Sequence, residues 1–171
     1  MGQVTTRFIN NIEDIRAECG NAASKFLVKM TIAKVTDQKI KNEEQIMTAR
    51  QQAVSSQKGA LRTGVKNAIV AATPDMENMD RDPQWKAAHD QCAALNGQFM
   101  DLVLEIDPLR NRLINRTAAL GKLVGEFDAY VKKKESAWFG SKKSVPAAKE
   151  SIASATTHLG HLREFLKLQA R

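Results

Sequence analysis

Residues 83–134 read PQWKAAHDQCAALNGQFMDLVLEIDPLRNRLINRTAALGKLVGEFDAYVKKK, and this stretch decides the fold. Its apolar residues recur at alternating intervals of three and four, which places them along one side of an α-helix. An apolar stripe of that length is not stable facing water, so at least one further helix must pack against it. The stripe consists of Trp85, Ala88, Cys92, Leu95, Phe99, Leu102, Ile106, Leu109, Leu113, Thr117, Leu120, Val124, Phe127 and Val131.

Two further apolar stripes have the same spacing. One begins at Phe8 and weakens towards Met47, and the other runs from Ala148 to Gln169. Four prolines and nine glycines are too few for the many turns of a sheet protein. The sequence therefore predicts an all-α fold, a long antiparallel helical hairpin with a third helix folded back to make a three-helix bundle.

The first helix is predicted over about residues 4–72, as part of a single elongated helical domain of 171 residues. Poor helix formers at residues 55–60 predict a bend or a short break there. The helix is expected to end before Pro74, because the residue preceding a proline is pushed out of the helical region.

The second and third helices have clear start signals. Asp82 precedes Pro83 as an N-cap, so the second helix is predicted over about residues 83–134. Pro108 lies inside it, and because the apolar stripe continues in phase beyond this residue, we expect a kink and not a break. The third helix is predicted over about residues 145–170.

Charge is segregated along the chain, whose net charge is +7. Residues 75–107 contain eight acidic and two basic residues, whereas residues 1–74 contain eleven basic and six acidic ones. Residues 108–171 contain thirteen basic and five acidic residues. After the apolar periodicity, this asymmetry is the most informative feature of the sequence.

The N-terminal residues contain no apolar core of signal-peptide length. No window approaches the roughly 20 apolar residues that a membrane-spanning helix needs. The two cysteines suit a reducing compartment. We therefore expect a cytoplasmic protein, with export by a route that needs no cleavable signal as the alternative.

The sequence lacks the common catalytic motifs. It has no Gly-rich phosphate loop, no Gly-x-Ser-x-Gly turn and no His-Glu-x-x-His pair. Three histidines, one tyrosine and two cysteines are a small inventory for acid–base chemistry. The prediction is a protein that is not an enzyme and uses no cofactor and no small-molecule substrate.

Two pairs of residues have a spacing that suits metal ligands. His158 and His161 lie three residues apart on one predicted helix, as do His89 and Cys92 on another. The predicted bundle separates the two pairs by about 40 Å along the helix axis, so we expect no metal site. A disulfide between Cys19 and Cys92 is excluded for the same reason.

The connection between the second and third helices is rich in lysine and aromatic residues. Such a composition suits an anionic membrane surface or an acidic partner, and also the stacking of single-stranded nucleic acid. The structural alternative is that the aromatic side chains fold inward and close the end of the bundle. The residues concerned are Lys132, Lys133, Lys134, Trp138, Phe139, Lys142 and Lys143.

The first predicted helix is longer than the part of the second helix that could cover it. Its C-terminal apolar residues are therefore expected to lack a complete internal partner, which favours self-association or binding of a foreign helix. These residues are Ile40, Met47, Val54, Leu61, Val65 and Ile69.

The leading hypothesis is a non-enzymatic helical-bundle interaction protein, such as a scaffold, adaptor, chaperone or secretion-type component, that associates with itself or with another protein. Peripheral binding to an anionic membrane is the alternative. Non-specific nucleic-acid binding is a third, against which the acidic segment 75–107 argues.

Overall fold

The computed structural model describes residues 2–64, 76–137 and 143–169, and describes side chains within these ranges over 2–56, 79–137 and 143–169. These residues form helices and no strand. The elements are α1 (Gly2–Gly64), a short 3₁₀ helix (Met76–Arg81), α2 (Pro83–Ser136) and α3 (Val145–Gln169). The all-α class and the three-helix bundle are confirmed, because α1 packs against both α2 and α3.

Internal contacts divide the chain into two compact units. Unit 1 comprises Met1–Val28 and Ile106–Arg171, and unit 2 comprises Lys29–Glu105. Each unit takes a portion of α1 and a portion of α2, so the boundary crosses helices and does not coincide with a loop.

Unit 1 contains the three-helix core. The predicted stripe residues of α2 in this unit are buried or half-buried, with Leu113, Leu120 and Phe127 fully enclosed. Gly121 lies beside α3, where an added Cβ would be 3.2 Å from Arg163 Nη2, so a small residue allows α3 to approach α2 closely. The other two helices contribute Ile12, Cys19 and Phe26 from α1 and Ala155, Leu159 and Leu162 from α3.

Contacts within unit 1 fix the helix directions. Phe8 stacks on Phe127 at 4.7 Å between ring centroids, and further along α1 Glu18 pairs with Arg116 at 2.9 Å. Residue numbers rise on α1 as they fall on α2, so these helices are antiparallel. Phe26 meets Phe165 of α3 edge to face at 5.9 Å. α3 runs parallel to α1, as a helix folded back over α2 must.

Unit 2 is built around a helix pair. Lys29 Nζ pairs with Glu105 at 2.8 Å, and Cys92 Sγ donates to the carbonyl of Ile40 at 3.8 Å. Ala33, Ile40, Ala88 and Leu95 are among the buried residues between α1 and α2. Within the residues that the structure describes, no third α-helix belongs to this unit.

The N-cap predicted at Asp82 is present. Its Oδ1 accepts hydrogen bonds from the backbone N–H groups of Gln84 and Trp85, each at 3.0 Å. Its Oδ2 accepts from Arg50 Nη2 of α1 at 2.6 Å. The hydrogen bond from Arg50, then that from Trp85, lowers the pKa of Asp82. One carboxylate therefore both starts α2 and fastens it to α1.

Two predicted irregularities fall within continuous helices. The backbone of α1 stays helical through residues 55–60 and as far as Gly64, while the predicted continuation to residue 72 lies outside the described residues. α2 is helical on both sides of Pro108. The predicted bend and kink of the helix axes stay predictions.

Replacing Leu113 by Ala is expected to lower the free energy of unfolding by about 2–5 kcal/mol, because the truncation leaves a cavity in the three-helix core. Leu168→Ala is the matched control, since that side chain is 59% exposed, and a change within about 0.5 kcal/mol is expected. Equal effects of the two substitutions in urea titrations would contradict this core assignment.

Candidate protein-interaction surface

The predicted lysine–aromatic connection lies partly outside the described residues, since Trp138, Phe139 and Lys142 belong to that part of the chain. Lys132 and Lys133 are exposed at the end of α2. That the two aromatic side chains close the bundle therefore stays a prediction.

The remaining residues of this connection differ in how firmly they are held. Lys132 Nζ pairs with Asp128 at 2.9 Å, and this hydrogen bond raises the pKa of Lys132. Lys134 is half-buried, with its Nζ 3.1 Å from the hydroxyl of Tyr130. Lys143 is exposed just before α3. The structure thus keeps most of these cations at the surface of unit 1.

The predicted partner-helix face requires one correction. Ile40 was expected to lack a complete internal partner, yet it is only 7% exposed. Cys92 of α2 donates to its carbonyl, so α2 covers this turn of α1. Ile40 therefore belongs to the core of unit 2.

The other members of that face are half-buried or not described. Met47 and Val54 are half-buried. Leu61 lies in α1, but its side chain is outside the described residues, and Val65 and Ile69 lie outside them altogether. Their exposure stays a prediction.

A more exposed apolar surface lies on α2, where sequence reasoning did not place it. Residues 99–104 read FMDLVL, and five of these six residues are apolar. Phe99, Leu102 and Val103 are half-buried, whereas Met100 is 59% and Leu104 69% exposed. The sequence contains a signal for this surface. A helix that packs one apolar stripe against one partner needs only about half of its residues to be apolar, and here five of six are.

We call Met100, Leu104 and the neighbouring Asp101 the α2 outer face. Asp101 is exposed, and it has no ion pair among the described residues. At 100° per residue, these side chains lie on the side of α2 away from the buried Leu95. Unit 2 therefore presents an apolar surface next to an uncompensated carboxylate.

A second apolar surface lies on α1 in the same unit. Ile32, Val35 and Ile46 are 43%, 51% and 44% exposed. Lys39 is exposed on the same side of the helix, opposite the buried Ala33. We call these four outward-facing residues the α1 outer face.

Unit 1 contains a polar cluster between α1 and α3. Arg16 Nε donates to His158 Nδ1 and Arg16 Nη1 donates to Ser154 Oγ, each at 3.1 Å. Burial, followed by the charges of Arg16 and His161, lowers the pKa of His158 below its ordinary value of 6.5. Because Nδ1 accepts a hydrogen bond from a guanidinium, His158 is neutral in this arrangement.

The cysteines are not arranged for catalysis. Cys19 and Cys92 are buried free thiols, and burial raises the pKa of each. A thiolate is the reactive form, so both groups are poor nucleophiles. In the described part of the chain, no three His, Cys, Asp or Glu side chains come together as metal ligands would.

An open groove of about 420 Å³ lies on the polar side of unit 1, where Arg112 and Arg116 are among its lining residues. Glu18 also lines it and already pairs with Arg116. The groove contains neither a nucleophile next to a base nor an enclosed apolar wall, so it does not resemble a substrate pocket.

Among the described helices, none has an apolar stretch of the length and hydropathy that crossing a bilayer requires. Comparisons of the chain with protein-family models, with curated proteins and with solved structures found no match. The surfaces described above are therefore the basis for a functional proposal.

We expect the free energy of unfolding to decrease as the pH falls from about 7.5 to about 5.5, because protonating His158 removes the acceptor for Arg16. A histidine whose folded-state pKa is lowered contributes stability that is complete above its unfolded value and is lost as the pH falls through the folded-state pKa. His158→Gln keeps an acceptor but does not titrate, so its stability should depend less on pH. An equally steep decrease in urea titrations of the variant would contradict this role.

Proposed function

We propose that the protein is a non-enzymatic helical protein that acts by association of helices, with itself or with another protein, as a scaffold, adaptor, chaperone or secretion-type component does. The observation that supports the proposal is the exposure of Met100 and Leu104 in the unit built around a helix pair.

Exposing these apolar side chains to water costs free energy that burial in an interface recovers. Burying a large aliphatic side chain completely is worth about 1.5–3 kcal/mol. The α1 and α2 outer faces together present five such side chains that are 43–69% exposed. Part of this gain is offset by the loss of translational and rotational freedom on association. The burial free energy that is left after this loss favours association of moderate affinity, of the kind that a helical adaptor or scaffold uses.

The chemistry of the described residues also supports a binding role. The buried cysteines are poor nucleophiles, and His158 is engaged with Arg16. An enzyme needs reactive groups that converge on a site where substrate can be held. The exposed apolar faces offer instead what a helix-binding protein needs, an apolar strip with charged residues beside it.

Leu104→Glu should shift the association equilibrium towards smaller species, because it puts a charge in place of the more exposed of the two apolar side chains of the α2 outer face. Light scattering over a dilution series measures this shift, and a decrease of at least tenfold in affinity is expected, about 1.4 kcal/mol. Val4→Glu is the control, since Val4 is 41% exposed and a carboxylate suits a helix N-terminus.

The proposal would fail if the wild-type chain stayed monomeric at every concentration and also bound no protein through a surface that Leu104→Glu disrupts. A result in which Val4→Glu and Leu104→Glu weaken association equally would also contradict it, because the effect would not then come from unit 2.

A second candidate function is peripheral binding to an anionic membrane. The observation that favours it is the exposure of Lys132, Lys133 and Lys143 around the connection between α2 and α3. Each lysine near an anionic bilayer contributes about 1 kcal/mol.

If this second function operates, Lys132→Gln/Lys133→Gln should weaken co-sedimentation with phosphatidylserine vesicles about 30-fold. Lys122→Gln/Lys167→Gln removes the same charge from exposed positions elsewhere in unit 1 and is the matched control. Equal binding to phosphatidylserine and phosphatidylcholine vesicles would exclude this candidate.

A further inference from the structure

We propose that copies of this chain associate head to tail, with the α2 outer face of one copy packed against the α1 outer face of the next. This inference rests on the proposed function and makes it specific, since the partner is a second copy and each copy uses two different surfaces.

The two faces lie on different helices of the same unit. Leu104 and Met100 point away from the α1–α2 contact on one helix, and Val35 and Ile46 point away from it on the other. Because the faces are on opposite helices of the pair, one copy can be contacted through both at once. The apolar side chains of the two faces are 43–69% exposed in the described part of the chain.

The α2 outer face spans residues 100–104 and is shorter than the α1 outer face, which spans residues 32–46. At 1.5 Å per residue these spans are about 6 Å and about 21 Å, so the α2 outer face packs against part of the α1 outer face when the two helices run antiparallel. Aligning Ile32 of one copy with Leu104 of the next brings Lys39 level with Gly97. An added Cβ at Gly97 would meet nothing within 4 Å, so there is room for a side chain from another copy.

Charge complementarity favours a second copy as the partner. In this alignment Lys39 lies one helical turn from Asp101, within reach of a flexible lysine side chain. Neither residue has an ion pair among the described side chains of its own chain. Residues 29–50 of α1 contain five basic and three acidic residues, whereas residues 79–105 contain two basic and five acidic ones. The two helices therefore attract each other between copies, as they do within one.

The symmetry of such a contact has a consequence that can be measured. Because the two faces differ, the contact is heterologous, and it does not close as a two-fold dimer would. Each copy that binds leaves one α1 outer face and one α2 outer face free at the ends. Assembly should therefore continue beyond the dimer as the concentration rises.

Two single variants test this arrangement. Leu104→Glu disables the α2 outer face and Val35→Glu disables the α1 outer face, and each substitution lies at an exposed position that should tolerate a charge. Each variant alone should be monomeric by light scattering. An equimolar mixture should form one-to-one dimers and nothing larger, because it contains one intact face of each kind.

Charge reversal tests the alignment. Lys39→Glu alone and Asp101→Lys alone should each weaken assembly about two- to fivefold, and the double variant should recover it. If circular dichroism shows that a glutamate variant has unfolded, Leu104→Gln and Val35→Gln replace the pair, with the same outcomes expected.

A mixture that remains monomeric would overturn the head-to-tail arrangement, and so would a wild-type chain whose assembly stops at the dimer. If Leu104→Glu weakens association but the mixture forms no dimer, this inference fails while the proposed function stands. If the wild-type chain is monomeric and binds no protein through this surface, both fail.

Discussion

The structure depends on one constraint, which is that the apolar stripe of α2 must be covered along its length. α1 covers it in both units, and the contacts that fix their antiparallel direction lie in each, with Phe8 on Phe127 in unit 1 and Cys92 on Ile40 in unit 2. A helix of this length and composition has no stable alternative in water, because its intrinsic helical propensity is small compared with the gain from burying one face. The composition of each core follows from which helices belong to its unit.

α3 belongs to unit 1, and this is why the two units differ. Where α3 is present, it adds Ala155, Leu159 and Leu162 to the core, and Arg16 holds it through His158 and Ser154. In unit 2 the described core is formed between α1 and α2, and polar anchors such as the Arg50–Asp82 pair hold the helices together. Apolar residues outside the main stripe are then left at the surface. The exposed apolar side chains of unit 2 include Met100 and Leu104 on α2 and Ile32, Val35 and Ile46 on α1.

Exposed surfaces, and not reactive groups, support the proposed function. The described histidine, cysteine and carboxylate side chains are occupied in caps, ion pairs or the core, or stand apart at the surface. Lys39 lies on the α1 outer face and Asp101 on the α2 outer face. In the proposed self-association these opposite charges attract each other. The charge segregation of the sequence is also present within unit 2, since residues 29–50 of α1 contain more basic than acidic residues and residues 79–105 contain more acidic than basic ones.

Much of the fold could be predicted from the sequence alone. Intervals of three and four define the buried side of each helix, and Asp82 before Pro83 defines where α2 begins, because both signals act between residues close in the chain. The burial of Ile40, and whether another helix covers Leu104, could not be derived in this way. Each depends on which turn of another helix lies opposite, and that register results from the packing of the helices within the unit. The sequence by itself determined which residues share a helix face, and only the tertiary structure decided which of those faces a neighbouring helix covers.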